Sequence, residues 1–312
     1  MKDIDWSVFP SFMKEKYSSL TECEHDLLVS QMLNENGTAP IELDDTKSSS
    51  FNIFSKEYNS VLITAHLFEN LLMFEDIRHE DNGHNWFQIE IPVEYFRYPA
   101  FNNIKDQFSY KKITEEEKKL LENVISTTKK EMHYANDENI VKENLHRLEF
   151  ISYFSYFEAY LENILIECLD YEKKTASNKA KYNSIDKLLK IVINEISPNI
   201  EILLTCIKND FFKFMHFCYL VRNLHTHNLG RANYEFMMKC IEKDLIEEDY
   251  GITESGEEIP LGHIKTNYGQ PDKVIELNRY ITLSVLSYDF RNYIREIVFI
   301  IESCLLEKRS IG

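Results

Sequence analysis

The 312-residue chain carries 35 Lys and Arg against 52 Asp and Glu, a formal net charge of −17, and is 44% hydrophobic and 13% aromatic. Such an apolar share can fill one large core or two ordinary ones, while only 8 Gly and 7 Pro argue against an all-β sandwich with many tight turns. No apolar run approaches the roughly 20 residues that span a bilayer, and the opening Met1-Lys2-Asp3-Ile4-Asp5 lacks the layout of a secretion signal; the expectation is a cytoplasmic protein with no membrane segment.

In chain order, residues 37–50 and 78–85 read as loops. Between them, residues 60–74 place Val61, Leu62, Ala65, Phe68, Leu71 and Leu72 at helical spacing. Residues 86–93 alternate as a half-buried strand does, with Trp86, Gln88 and Glu90 opposed to Phe87, Ile89 and Ile91. Residues 1–110 are therefore expected to form a small α+β domain. It is acidic, with 8 basic against 19 acidic side chains, about −11 of the whole charge. It shows no nucleotide-binding loop and no paired-Asp nucleotidyltransferase pattern, so its role is open.

Residues 111–312 read as a helical domain. Thr114 and Glu117 form a capping box opening a helix to about residue 133. A long helix over 139–172 sets Phe150, Phe154, Phe157, Leu161, Ile164 and Cys168 along one face. Helices follow over 184–196, stopped by Pro198, and over 200–207. Asp210 opens a very apolar helix carrying Arg222, and residues 234–247 continue as helix. Residues 250–270, with four of the eight glycines, form a loop or hairpin. Residues 278–306 close the chain as a long helix. The fold class is mainly α.

The six cysteines (Cys23, Cys168, Cys206, Cys218, Cys240 and Cys304) form no CxxC pair. Buried free thiols are expected, with neither a disulfide framework nor a zinc site. No metal and no other cofactor is expected.

The richest stretch runs from Phe214 to Gly230. One helical face carries Phe211, Met215, Cys218, Arg222 and His225, and a second carries Phe217, Leu220, Leu224 and His227. A helix apolar on two faces is buried on both. Its last turns nevertheless hold a guanidinium and two imidazoles, whose unpartnered burial costs several kcal/mol. They must be paired or line a ligand site. Arg222 and His227, five apart, differ by about 140° around an ideal helix. They converge only if the helix ends near His227 or a second copy completes the site; Asn228 and Gly230 suit a helix end.

Arg222-Asn223-Leu224-His225-Thr226-His227 resembles the R-N-x-x-x-H form of the motif that marks the HEPN superfamily. The preceding Phe157-Glu158-Ala159-Tyr160-Leu161 is similar to the aromatic and acidic first helix of many members. The resemblance covers residues 139–306. A second match, from Arg78 to His84, lies in a polar stretch where nothing holds the two side chains together. The resemblance implies a HEPN-like helical bundle that cleaves RNA without metal, with two protomers forming one composite cleft. It also implies the role of a toxin or antiviral effector, and a possible antitoxin or regulatory partner.

In that reading His227 is the general base or acid, Arg222 stabilises the phosphate, and Asn223 orients the phosphate or the imidazole. His225 and Glu158 are possible supporting residues, and Arg231 and Lys239 guide RNA. Around this segment Lys208, Lys213, Arg222, Arg231 and Lys239 outnumber Glu201, Asp210 and Glu235, which offers phosphate a weakly basic site on an acidic protein. Two alternatives stand: a non-catalytic module binding RNA or protein, and a structural helical dimer in which Arg222 is a core arginine paired with Glu158 or Glu162.

Overall fold

The computed structural model describes residues 40–80, 119, 139–208, 210–252, 258–264 and 274–311. Over these residues the protein is mainly helical: α1 (Ser49–Glu80), α2 (Asn139–Glu167), α3 (Lys173–Tyr182), α4 (Ile185–Ile196), α5 (Asn199–Ile207), α6 (Phe211–His227), α7 (Tyr234–Glu242), strands β1 (Ile246–Ile252), β2 (Glu258–Ile264) and β3 (Val274–Glu276), and α8 (Ser284–Ile311). None of the described helices is long and apolar enough to cross a membrane. The strand expected over 86–93, the helix expected over 114–133 apart from residue 119, and the boundary near residue 110 lie outside the described residues.

The chain divides into two compact units. The smaller takes in residues 40–42, 55–80, 119 and 139–149 among those described. There the Asn59 side chain accepts from Ile41 N at 2.8 Å and donates to Ile41 O at 2.8 Å, tying an extended segment to α1. The helix is longer than the expected 60–74 and includes Arg78 and His79 of the second motif match.

The larger unit holds Leu43–Phe54 and residues 150–311. Its core begins with the aromatic stripe of α2, where Phe150, Phe154, Phe157, Leu161 and Ile164 are wholly buried. Phe290 of α8 fills this stripe, with ring centroids 5.3 Å from Phe150, 5.5 Å from Phe154 and 6.4 Å from Phe157. Tyr293, one turn on, meets Phe211 and Phe214 of α6 at 5.8 and 5.2 Å. Each buried aromatic contributes about 1.5–3 kcal/mol of apolar transfer. In α4 the burial of Ile185, Leu188, Leu189, Val192 and Ile193 makes one apolar stripe.

Four details depart from the sequence expectation. α2 ends at Glu167 rather than 172, leaving Cys168 beyond it. α3 interrupts a stretch assigned no structure; its polar sequence buries only Ala176 and Ala180. α7 stops at Glu242 rather than 247, because Asp244 takes a left-handed backbone (φ 55°) and turns the chain into β1. α8 starts at Ser284 rather than 278, after a second left-handed turn at Asn278 (φ 65°). The hairpin is real: β1 and β2 pair antiparallel with Ile246 opposite Ile264, and β3 adds to β2. Cys218 and Cys240 are buried free thiols, while Cys168 and Cys304 are half-buried.

The start of α1 is held by two carboxylates. Ser48 caps the helix, its Oγ accepting from Phe51 N at 2.9 Å. Ser48 itself donates to Glu302 through its hydroxyl at 2.6 Å and its amide at 3.0 Å. Tyr160 Oη donates to the same carboxylate at 3.0 Å, and Glu302 is 1% exposed. Ser49 and Ser50 donate amides and hydroxyls to Glu167 over 2.5 to 3.1 Å. Anions at a helix N-terminus meet both its unpaired N–H groups and its dipole. Burial pushes the Glu167 carboxyl up, but the hydrogen bonds from Ser50 and Ser49 outweigh it and hold the group below its usual value.

Glu302→Leu strips the acceptor from three buried donors and should cost about 3 kcal/mol or more in urea unfolding; a loss below about 1 kcal/mol would contradict this account. Glu167 acts with the sign of a depressed carboxyl. Its contribution is complete above the ordinary glutamate value of 4.5 and fades as pH falls through the lower folded value. The difference in urea midpoint between wild type and Glu167→Gln should therefore be present at neutral pH and vanish in acid. A difference that persists in strong acid would refute the assignment.

Candidate functional site

α6 fixes the site. Phe211, Phe214, Met215, Phe217, Cys218, Leu220, Val221, Leu224 and His225 are all buried along it, so both expected apolar faces are packed. The polar members of its last turns then take three different routes.

Arg222 runs sideways across α2. Its guanidinium lies over the Phe154 ring at 5.3 Å and donates through Nη1 to Asn223 Oδ1 at 3.0 Å. Its Nη2 approaches Glu158 Oε2 at only 3.9 Å, with the two side chains 26% and 28% exposed. The Nε is buried without a hydrogen-bond partner among the described residues. This is a fixed but incompletely satisfied guanidinium, with donor capacity left for a further acceptor. Glu158 is under matching tension: burial pushes its carboxyl up, Arg222 offsets part of this, and Glu162 adds to it.

His225 turns inward. It is wholly buried, and its Nε2 donates to the Ile281 carbonyl at 2.9 Å. The ring meets Tyr280 edge-on at 5.1 Å. Gly230, at φ +77°, lies so close that a Cβ there would collide with both the imidazole and the Tyr280 ring. His225 therefore pins the end of α6 to the segment before α8.

His227 turns outward. It is the last residue of α6 and is exposed. The helix remains regular through it, so Arg222 and His227 point about 140° apart on one chain. The two imidazoles of the His-x-His pair likewise diverge, one buried and one exposed. The fold brings Arg222, Asn223, Glu158 and Phe154 together and does not bring His227 to them.

Asn228 closes the helix, its amide donating to Leu224 O at 2.8 Å. Its side chain donates to Arg231 O at 2.7 Å. Arg231 is exposed, with Nη1 anchored on Asn278 O at 3.1 Å. Lys239 is exposed and paired with Glu235 at 2.6 Å.

Sequence reasoning missed one more polar contact on α6. His216 Nδ1 lies 2.9 Å from Asp186 Oδ1 of α4. Burial raises the Asp186 carboxyl, but hydrogen bonding, led by His216, brings it below the usual aspartate range. A histidine within an apolar helix was the available signal; its partner, 30 residues upstream, left none.

No known protein family matches this chain. No curated protein and no solved structure matches it either.

The raised Glu158 carboxyl carries a sign opposite to that of Glu167. Below its unfolded value both states are protonated and it contributes nothing. As pH rises through that value toward the higher folded one, ionisation opposes folding. Glu158→Gln should thus melt higher than wild type at neutral pH and lose that advantage in acid. A variant less stable than wild type at neutral pH would show that the ion pair with Arg222 outweighs the burial.

Proposed function

We propose that this chain is a metal-independent RNA endonuclease of HEPN type, acting as a toxin or antiviral defence effector. The observation that carries the reading is Arg222: a guanidinium held by Phe154 and Asn223, only loosely engaged by Glu158, on the same helix that presents His227. Stabilising charge on a phosphate needs a fixed cation with donors to spare. Carboxylates left in an unfavourable state, as Glu158 is, cluster at functional sites.

Cleavage proceeds by intramolecular attack. A base, His227, removes the proton of the ribose 2′-hydroxyl, and the 2′-oxygen bonds to phosphorus. The bond from phosphorus to the 5′-oxygen breaks, and that oxygen takes up a proton. The products are a 2′,3′-cyclic phosphate and a 5′-hydroxyl. Arg222 stabilises the charge developing on the phosphoryl oxygens, with Asn223 fixing the guanidinium. Because Arg222 and His227 diverge on one chain, the cleft is composite: two copies of the chain supply it. A cytoplasmic setting and an antitoxin or regulatory partner belong to the same proposal.

A second reading draws on the same contacts. In a structural helical dimer, the Phe154 and Glu158 contacts alone account for Arg222. The two readings differ in stability. A loosely paired, partly exposed Arg222 costs about 1 kcal/mol when cut to Ala, whereas a core ion pair costs about 3–5.

Purified protein in the presence of chelator should cleave total cellular RNA and leave cyclic phosphate ends. His227→Ala should be slower by about 100-fold or more with an unchanged melting temperature. Equal cleavage by His227→Ala would remove the imidazole from the chemistry, and no cleavage by either would favour a non-catalytic module.

A further inference from the structure

Cleaving a phosphodiester takes two proton transfers, one off the attacking hydroxyl and one onto the departing oxygen, because an alkoxide leaves poorly until it is protonated. α6 carries three imidazoles, and among the described residues a carboxylate orients one of them. His225 is buried on the Ile281 carbonyl, and His227 is exposed at the helix end. His216 has its Nδ1 2.9 Å from Asp186 Oδ1 of α4. Burial raises the Asp186 carboxyl, but hydrogen bonding holds it below its usual value, and an ionised carboxylate only accepts. Nδ1 of His216 therefore carries a proton. Nε2, across the ring, has no hydrogen-bond partner among the described residues, and the side chain stays 12% exposed. A ring fixed by a carboxylate at one nitrogen and open at the other is built to pass protons.

His216 shares a surface with Arg222. Residues three apart on a helix are neighbours along one ridge, and His216, Tyr219 and Arg222 follow that spacing. All three are only half-buried on a helix whose other faces are packed. Contacts run unbroken along the ridge. The His216 ring lies 5.9 Å from Tyr219, Tyr219 lies 6.4 Å from Phe154, and Phe154 lies 5.3 Å under the Arg222 guanidinium. Helical side chains lean toward the helix start, so the long Arg222 reaches back along Phe154 and shortens the roughly 11 Å that two ridge steps span. A phosphodiester on the guanidinium, with its bridging oxygen one hydrogen bond from His216, fills the remainder. The carboxylates beside the ridge are engaged: Asp186 with His216, Glu162 with the Ser177 hydroxyl, and Glu158 with Arg222. α6 itself contains no Asp or Glu.

We infer that His216 is the general acid of this site, passing its Nε2 proton to the 5′-oxygen of a phosphodiester held by Arg222, with Asp186 positioning the ring. The role rests on the ribonuclease reading and adds to it a second catalytic imidazole. His227 takes the proton of the 2′-hydroxyl, and the 2′-oxygen bonds to phosphorus. The bond from phosphorus to the 5′-oxygen breaks with its electron pair on that oxygen, which receives the proton from Nε2. Solvent then reprotonates His216 and takes the proton from His227. One chain supplies Arg222 and the acid, and the second copy supplies the base.

The test changes the leaving group. An oligoribonucleotide spanning a linkage that the wild type cuts is made twice, with oxygen and with sulfur at the 5′ bridging position; a thiolate leaves without a proton. On the oxygen substrate, in chelator, His216→Ala and His216→Gln should each be slower by about 100-fold or more, and Asp186→Asn by about 10–100-fold. Glutamine can still donate to Asp186 and so keeps the packing, but it cannot act as an acid. On the sulfur substrate all three variants should cleave nearly as fast as wild type, whereas His227→Ala, lacking the base, should stay slow on both. A merely structural His216 would slow both substrates alike, or be replaced by Gln without loss, and either result overturns the assignment. Wild-type cleavage of the oxygen substrate by His216→Ala overturns it too and leaves the ribonuclease reading intact. A wild type that cuts no RNA removes that reading and this role together.

Discussion

The larger unit is organised by the packing of α6. A helix whose buried residues run from Phe211 to His225 is gripped by neighbours on most sides, and a close-packed interior lets it neither slide nor turn by a fraction of a residue. That constraint settles where its polar end must lie. Three charged or titratable side chains arrive there together, and each finds a separate solution: His225 buried on the Ile281 carbonyl, Arg222 laid along Phe154, His227 left to solvent. The helix that stabilises the fold is therefore also the one that positions Arg222, His225 and His227.

Three glutamates show how differently a carboxylate can be accommodated. Glu302 is buried but accepts from Ser48 and Tyr160. Glu167 is gathered into the serine-rich start of α1 and is favoured in its charged form. Glu158 has neither remedy: the Arg222 guanidinium is 3.9 Å away and already shared with Asn223. Two of these groups contribute to the fold and the third works against it.

Much of the fold was legible because the signal was local. Ile185–Ile196, Asn199–Ile207 and Phe211–His227 appear within a residue of where apolar spacing, Pro198 and Asp210 place them. The stripe of α2 was readable for the same reason, and Glu158 beside it was already a named partner for Arg222. What could not be read depends on distant pairing. The Ile281 carbonyl that holds His225 is 56 residues away, and no pattern in either segment announces it. The helix expected through residue 247 fails because pairing with β2 outcompetes an apolar pattern that Leu245 and Ile246 would otherwise extend. α3 escaped notice because its helix has almost no apolar face.

That last property has a thermodynamic consequence. With Ala176 and Ala180 its only buried side chains, and a Ser177 hydroxyl donating to Glu162 of α2, α3 forgoes little burial when it detaches. Its opening free energy lies far below that of global unfolding, because the aromatic stack on α2, α6 and α8 can stay closed while α3 frays. Amide hydrogens of residues 173–182 then exchange through local opening, ahead of those of α6.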